Sequence, residues 1–161
     1  MFSAIDQLTT VASGVPMPFM QKIEPVSASL YFHFVLRMDE GVVLSDEQEL
    51  NLRKYMSGYV RKSGGKINMV TFTQNRVHIL VGLSPFCALG TFVRELKLFS
   101  ATFAARKLGA IDFGWEEKFD AFTVSLSQIE RVCGYIRRQR WLTDQESYAS
   151  SWNRLASQEL Y

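Results

Sequence analysis

Four short stretches of the chain are rich in aromatic and β-branched residues, which favour β-strands. The second and third stretches are separated only by the dipeptide Gln74-Asn75, so they are expected to form a hairpin. Polar or glycine-containing segments bound each stretch, as expected for strand ends. The pattern predicts strands at residues 30–37, 66–73, 76–83 and 119–125.

Between these strands, apolar residues recur with the period of an α-helix. Ser45 with Gln48 three residues later is a capping-box pattern, and it predicts a helix that begins there and ends near Lys62. A second helix is predicted over about 88–108, and Gly109 ends it. Each of these helices follows one strand and precedes the next.

A third helix is predicted near the end of the pattern, where Ser127 and Glu130 form another capping-box pattern. It is expected to continue to about Gln139. Its apolar stripe contains Ile129, Val132, Cys133 and Ile136 at positions i, i+3, i+4 and i+7. Tyr135 lies at the margin of that stripe, so its hydroxyl is expected to reach outward, with Gln139 one turn further on.

The order of elements is β-α-β-β-α-β followed by the last helix. This order predicts an α+β, ferredoxin-like fold, in which a four-stranded antiparallel sheet carries an additional C-terminal helix with Tyr135. The ordered domain is expected at residues 29–142. An irregular arm rich in proline is expected at 1–28, and a partly helical tail at 143–161.

Composition narrows the class of protein. With 161 residues, the chain is long enough for one domain with a full core, and 47% of its residues are hydrophobic. No apolar run approaches the length of a membrane span, and no secretory signal is evident, so a cytoplasmic protein is expected. Cys87 and Cys133 lack metal-ligand spacing and are expected to be free thiols.

The positions of the basic residues are more informative than the net charge of the chain. The net charge of +2 is too small to indicate nucleic-acid binding. However, residues 53–66 contain five basic residues and no acidic residue, and 137–140 contain three arginines in four positions. Such clusters are usually solvated surfaces, but they are also where a phosphate backbone would be bound.

Two residues on one strand are candidates for chemistry. Because side chains alternate along a strand, Arg76 and His78 share one face of the strand at 76–83, while Val77 and Ile79 point the other way, into the core beneath the helices or against a partner. A single histidine on a strand is more often structural than a ligand, and His33 on the first strand is interpreted in that way.

Several motifs together resemble the single-tyrosine HUH transposases, including the REP-associated tyrosine transposases and the enzymes of small insertion sequences. The motifs are "RVHILVGL", "FVRELK" and "WEEKFDAFTVSLSQIERVCGYIRRQ", in the family's order and spacing. The resemblance covers about residues 29–142. It implies a single-stranded or hairpin DNA partner and, for many members, a homodimer.

The resemblance also implies a site. In the family, two histidines and a polar residue one turn after the tyrosine hold a divalent metal, Mg²⁺ or Mn²⁺. The ion polarises a phosphate that the tyrosine attacks. His78 matches the second histidine, Gln139 the helix ligand and Tyr135 the nucleophile. The residues expected to contact DNA are Arg76, Arg94, Lys97, Arg131, Arg137, Arg138 and Arg140.

Arg76 occupies the position of the family's first histidine. Arginine has no lone pair for a metal and stays protonated, so the metal site is expected to be incomplete. Lys118 and Asp120 also replace glycines of the family pattern. The family's metal is therefore expected to bind poorly to this chain.

Three functional interpretations stay open. The chain is a transposase-like DNA-binding protein in which nicking is lost or weakened, or a working transposase in which Arg76 clamps the phosphate directly. The third interpretation is a plain nucleic-acid or protein interaction module. Against an RNA-recognition module, the strands lack its glycine-aromatic signature.

Overall fold

The computed structural model describes residues 29–140. The predicted arm at 1–28, the predicted tail at 143–161 and the last two residues of the predicted domain lie outside the described residues. The described elements are strand β1 (Leu30–Met38), helix α1 (Asp46–Lys62), strand β2 (Lys66–Phe72), strand β3 (Arg76–Leu83), helix α2 (Leu89–Lys107), strand β4 (Trp115–Val124), a 3₁₀ turn (Leu126–Gln128) and helix α3 (Ile129–Gln139).

The four strands form one antiparallel sheet in the order β2-β3-β1-β4. This is the predicted ferredoxin-like arrangement, and the fold class is confirmed. The two central strands are β1 and β3, and in their register Val35 lies opposite His78 while Arg37 lies opposite Arg76. His78 therefore lies in the middle of the sheet, and the Arg37–Arg76 pair lies at one end of it.

The two faces of the sheet are covered by different helices. On one face, alternate residues such as Phe34, Leu36 and Ile79 pack under α1 and α2 and form the main core. On the other face, Val35 and Leu80 lie under α3. The alternation predicted for β3 is confirmed, because its odd-numbered residues enter the main core and His78 enters the layer beneath α3.

The start of α1 forms as the sequence predicts. The Gln48 backbone N–H donates to the Ser45 hydroxyl at 3.2 Å, and the Ser45 N–H donates to the Gln48 side-chain oxygen at 2.9 Å. These reciprocal bonds satisfy two N–H groups that the helix start leaves without a helical partner. The first capping box is therefore confirmed.

The second predicted capping box is wrong. The chain enters α3 through the 3₁₀ turn, in which the Gln128 N–H donates to the Ser125 carbonyl at 3.0 Å. The Ser127 hydroxyl instead lies 3.2 Å from the Ser125 hydroxyl, and no side chain caps α3. A serine pair within the turn competes for the hydroxyl that the pattern assigned to the cap.

The bounds of β4 also differ from prediction, because the strand begins at Trp115 and not at residue 119. Trp115 pairs with Met38 after an irregularity that breaks the β1–β4 register between Leu36 and Met38. The acidic and basic residues at 116–118 conceal this part of the strand in the sequence, since they are exposed and do not alternate with apolar ones.

Two expectations from composition concern the cysteines and the membrane. The thiols of Cys87 and Cys133 are free and partly buried. None of the helices between residues 29 and 140 combines the length and apolarity needed to cross a bilayer.

The attachment of α3 to the sheet depends on a small apolar interface, which a substitution at Ile136 tests. Its side chain is fully buried against the sheet, so Ile136→Ala is expected to lower the free energy of unfolding by about 2 to 5 kcal/mol. Arg138→Ala, two residues away and exposed, should change it by less than about 0.5 kcal/mol. Urea denaturation measures both, and equal effects would show that α3 is not anchored through Ile136.

Candidate functional site

The site is built around two histidines from adjacent strands. His33 on β1 and His78 on β3 are diagonal neighbours on the face covered by α3, because His33 lies opposite Leu80 and His78 opposite Val35. The His33 Nε2 atom lies 3.2 Å from the His78 Nδ1 atom, which is a hydrogen-bond distance. The two imidazoles are 0% and 1% exposed.

Both imidazoles are neutral at neutral pH. Burial, and after it the charge that His78 would carry, lowers the pKa of His33 to about 3. Burial also lowers the pKa of His78 to about 4, with a further contribution from the positive charge of Arg76. A neutral pair lets one ring donate the shared hydrogen bond and the other accept it.

Tyr135 closes this site from α3. Its ring lies edge-on to both imidazoles, with centroid separations of 6.0 Å from His33 and 6.4 Å from His78. Phe122 of β4 borders His33 at 6.2 Å. Tyr135 is only 5% exposed, so it lies within the interface and not at the helix margin where the sequence pattern placed it. The structure therefore brings the rings of Tyr135 and His78 close together.

Arg76 and Gln139 are the two other residues that the resemblance selects. Arg76 begins β3 two residues before His78 and is half-buried, and its charge acts on the His78 imidazole. Gln139 is half-buried in the last turn of α3. The Arg76 Nε and Gln139 Nε2 atoms are enclosed, and neither has a hydrogen-bond partner in the part of the chain that the structure describes.

The predicted DNA-contacting residues lie on two faces of the molecule. The half-buried Arg131 and the exposed Arg137 and Arg138 belong to α3, on the same side as the histidine pair, and the exposed Arg140 directly follows the helix. Arg94 and Lys97 belong to α2, on the opposite side. The Lys97 ammonium donates to the carbonyls of Glu116, Glu117 and Lys118 at 2.8, 2.8 and 3.2 Å, so it holds the start of β4.

A family model described as "Transposase IS200 like" matches residues 26–139, which is most of the chain. The chain belongs to the IS200-like transposase family. The resemblance to the single-tyrosine HUH transposases is thereby confirmed. No curated protein sequence is similar enough to this IS200-like chain to count as a match.

Solved structures support the same fold. One is a crystal structure of a protein from Deinococcus radiodurans R1 that carries a transposase assignment. It is 24% identical, covers 74% of this chain and 98% of its own, and has a TM-score of 0.55. Another is a REP-associated tyrosine transposase bound to a REP hairpin. It is 16% identical, covers 71% of this chain and 68% of its own, and has a TM-score of 0.53.

The donor set of this IS200-like chain does not fit the divalent metal on which its family depends. Arg76 supplies no lone pair, and its positive charge, which lowers the pKa of His78, opposes a bound cation in the same way. The facing nitrogens of His33 and His78 lie 3.2 Å apart, so these two atoms are not open to a metal. Between residues 29 and 140, no group of three or more histidine, cysteine or acidic side chains is arranged to hold a metal.

His33 is the part of the site that sequence reasoning missed. The structure shows it bonded to His78, whereas the pattern gave only a histidine on a hydrophobic strand. A signal was available, because His33 and Val35 share a face of β1, and the ferredoxin-like strand order places β1 beside β3.

Proposed function

We propose that this chain binds single-stranded or hairpin DNA and that metal-assisted nicking and rejoining by Tyr135 is lost or much weakened. The observation that carries the proposal is the closed site, in which Tyr135 covers a hydrogen-bonded neutral histidine pair and Arg76 replaces a metal ligand. Membership of a transposase family and the hairpin bound to a structural relative support the choice of DNA.

The chemistry of nicking explains why these features matter. The Tyr135 oxygen would attack phosphorus, forming a 5'-phosphotyrosine ester and breaking the bond to the 3' oxygen, which leaves with a proton as a 3'-hydroxyl. A phenol has an ordinary pKa of about 10 and attacks poorly at neutral pH, so charge on the phosphate must be offset. Tyr135 is nearly buried, which limits access for DNA, and Arg76 at the position of a ligand histidine leaves the family's metal-ligand set incomplete.

DNA binding makes fewer demands than nicking. It needs exposed basic side chains that reach phosphates, and these contacts need no metal. The last turn of α3 presents Arg137 and Arg138, both exposed, close to the site. In the basic segment at 53–66, Lys54, Arg61, Lys62 and Lys66 are exposed on α1 and at the start of β2, whereas Arg53 is half-buried and pairs with Glu49.

One observation favours a second candidate function, a working nuclease. Tyr135 lies beside His78 within one chain, so the predicted nucleophile is already at the predicted site. In that case Arg76 would supply the positive charge that the metal supplies in relatives. Covalent capture of DNA by Tyr135 distinguishes the two functions.

Salt dependence tests the DNA-binding proposal. The double variant Arg137→Ala with Arg138→Ala is expected to flatten the slope of log affinity against log salt by about 0.7 to 0.9 for each lost phosphate contact. Fluorescence anisotropy with a hairpin oligonucleotide measures the slope.

The matched control is Arg106→Ala with Lys107→Ala, an exposed basic pair in the last turn of α2 on the other face. It should leave the slope unchanged. Equal slopes for the wild type and the α3 variant would show that Arg137 and Arg138 do not contact the DNA phosphates. Absence of binding to any oligonucleotide would contradict the proposed function.

A further inference from the structure

We propose that Arg37, Arg76 and Gln139 form a metal-independent phosphate site at the end of the sheet beneath the last turn of α3. The inference rests on the proposed function, since the phosphate is taken to be an internal phosphodiester of bound DNA. It differs from the family's site in using positively charged and amide donors in place of a metal ion.

The first observation is a pair of like charges. Arg37 and Arg76 are direct partners across β1 and β3, and both lie on the face opposite the main core. Like charges directly opposite each other destabilise a sheet. Asp120 offsets Arg37 only weakly, at 3.8 Å and with both side chains more than 40% exposed. A bound anion would remove the repulsion.

The second observation is two enclosed donors. The Arg76 Nε and Gln139 Nε2 atoms are shielded from solvent, and residues 29–140 offer neither of them an acceptor. An enclosed N–H group without an acceptor costs about 1 to 3 kcal/mol. Phosphate oxygens are strong acceptors, and a guanidinium binds them with two parallel hydrogen bonds.

Contacts of α3 place its last turn at the correct end of the sheet. The Arg140 guanidinium lies 3.5 Å from Glu49 of α1, and Glu49 accepts a hydrogen bond from Arg53 at 2.6 Å. Arg53 in turn lies over the ring of Phe72, which is paired with Val77. Because Val77 directly follows Arg76, Gln139 and Arg76 belong to the same end of the molecule.

Charges of both signs lie at this end of the sheet. Arg53 and Arg140 both contact Glu49, and Asp39, Glu40 and Glu116 line a cavity together with Asn75, the residue before Arg76. His78 and His33 are buried side by side deeper in the same layer, and Asp120 lies toward β4. On the face beneath α3, Arg37 and Arg76 lie directly opposite each other, so an anion bound on that face would contact two positive charges.

The test asks whether Arg76 and one particular phosphate of the DNA contribute to binding through the same contact. Hairpin oligonucleotides are prepared with single neutral methylphosphonate groups at successive positions, and anisotropy in EDTA measures their affinity. Arg76→Gln is expected to weaken binding of the unmodified hairpin by about 10- to 100-fold. At one position of the hairpin, a methylphosphonate should weaken binding to the wild type by a similar factor. The same substitution should cause no further loss of binding to Arg76→Gln.

Two further variants make the result decisive. Arg106→Gln, which removes one exposed positive charge on the opposite face, should bind every oligonucleotide like the wild type. Gln139→Met, in the last turn of α3, should weaken binding of the unmodified hairpin by about 3- to 10-fold. Methylphosphonate at the same position should weaken its binding no further. It keeps the test valid if Arg76→Gln does not fold.

The outcomes separate this inference from the proposed function. If hairpins bind but Arg76→Gln and Gln139→Met bind them with unchanged affinity, the phosphate site is wrong and DNA binding stands. Competition by inorganic phosphate with no effect of any methylphosphonate would assign the site to free phosphate and overturn the diester assignment. If no hairpin binds in EDTA, both proposals fail.

Discussion

The free energy of unfolding is expected to fall by about 4 kcal/mol when the pH is lowered from 7 to 5, about 2 kcal/mol for each buried histidine. The pKa of His33 is lowered to about 3 and that of His78 to about 4, from an ordinary value of 6.5. Both rings are almost fully buried, so little solvent screens this effect.

The sign follows from proton uptake. Below pH 6.5 the histidines of the unfolded chain become protonated, while the folded pair stays neutral until about pH 4. The unfolded state therefore binds more protons between about pH 6.5 and pH 4, and the free energy of unfolding decreases as the pH is lowered through this range. Above pH 6.5 both states are neutral, and the pair makes no pH-dependent contribution.

Urea denaturation at pH 7, 6 and 5 measures this dependence. A double variant with His33→Gln and His78→Gln removes both titrating groups and should show little change over the same range. The single variants should each retain about half of the wild-type dependence. If the wild type and the double variant lose the same free energy between pH 7 and pH 5, the histidine pair is not the cause.

Much of the fold could be predicted because the apolar pattern is strong. The residues of β3 alternate between two buried layers, and the capping box at Ser45 marks the start of α1 through bonds that depend on neighbouring residues only. The errors occur where a local pattern has a competing solution. At Ser127 a 3₁₀ turn replaces the expected cap, and the exposed residues 116–118 conceal the start of β4.

The site was less accessible from the sequence because its contacts are long-range. His33 and His78 are separated by 45 positions, and only the β1–β3 register brings their rings together. The same register creates the Arg37–Arg76 pair. The position of Tyr135 depends on how α3 lies over the sheet, where Phe122 and the histidines enclose a residue that a helix pattern places at the margin.

Substitution of a single ligand is not expected to restore the family's chemistry. Arg76→His would place a second imidazole on the strand face of His78. However, Tyr135 would still be buried, and Lys118 and Asp120 would still replace glycines of the family pattern. We therefore expect at most a trace of covalent product from Arg76→His with a hairpin and Mn²⁺.

The most direct measurement applies native and denaturing gels to the same mixture of protein, hairpin DNA and Mn²⁺. We expect a shifted complex on the native gel and no adduct that survives denaturation, with Tyr135→Phe giving the same pattern as the wild type. A denaturation-resistant adduct formed by the wild type and abolished in Tyr135→Phe would contradict this expectation.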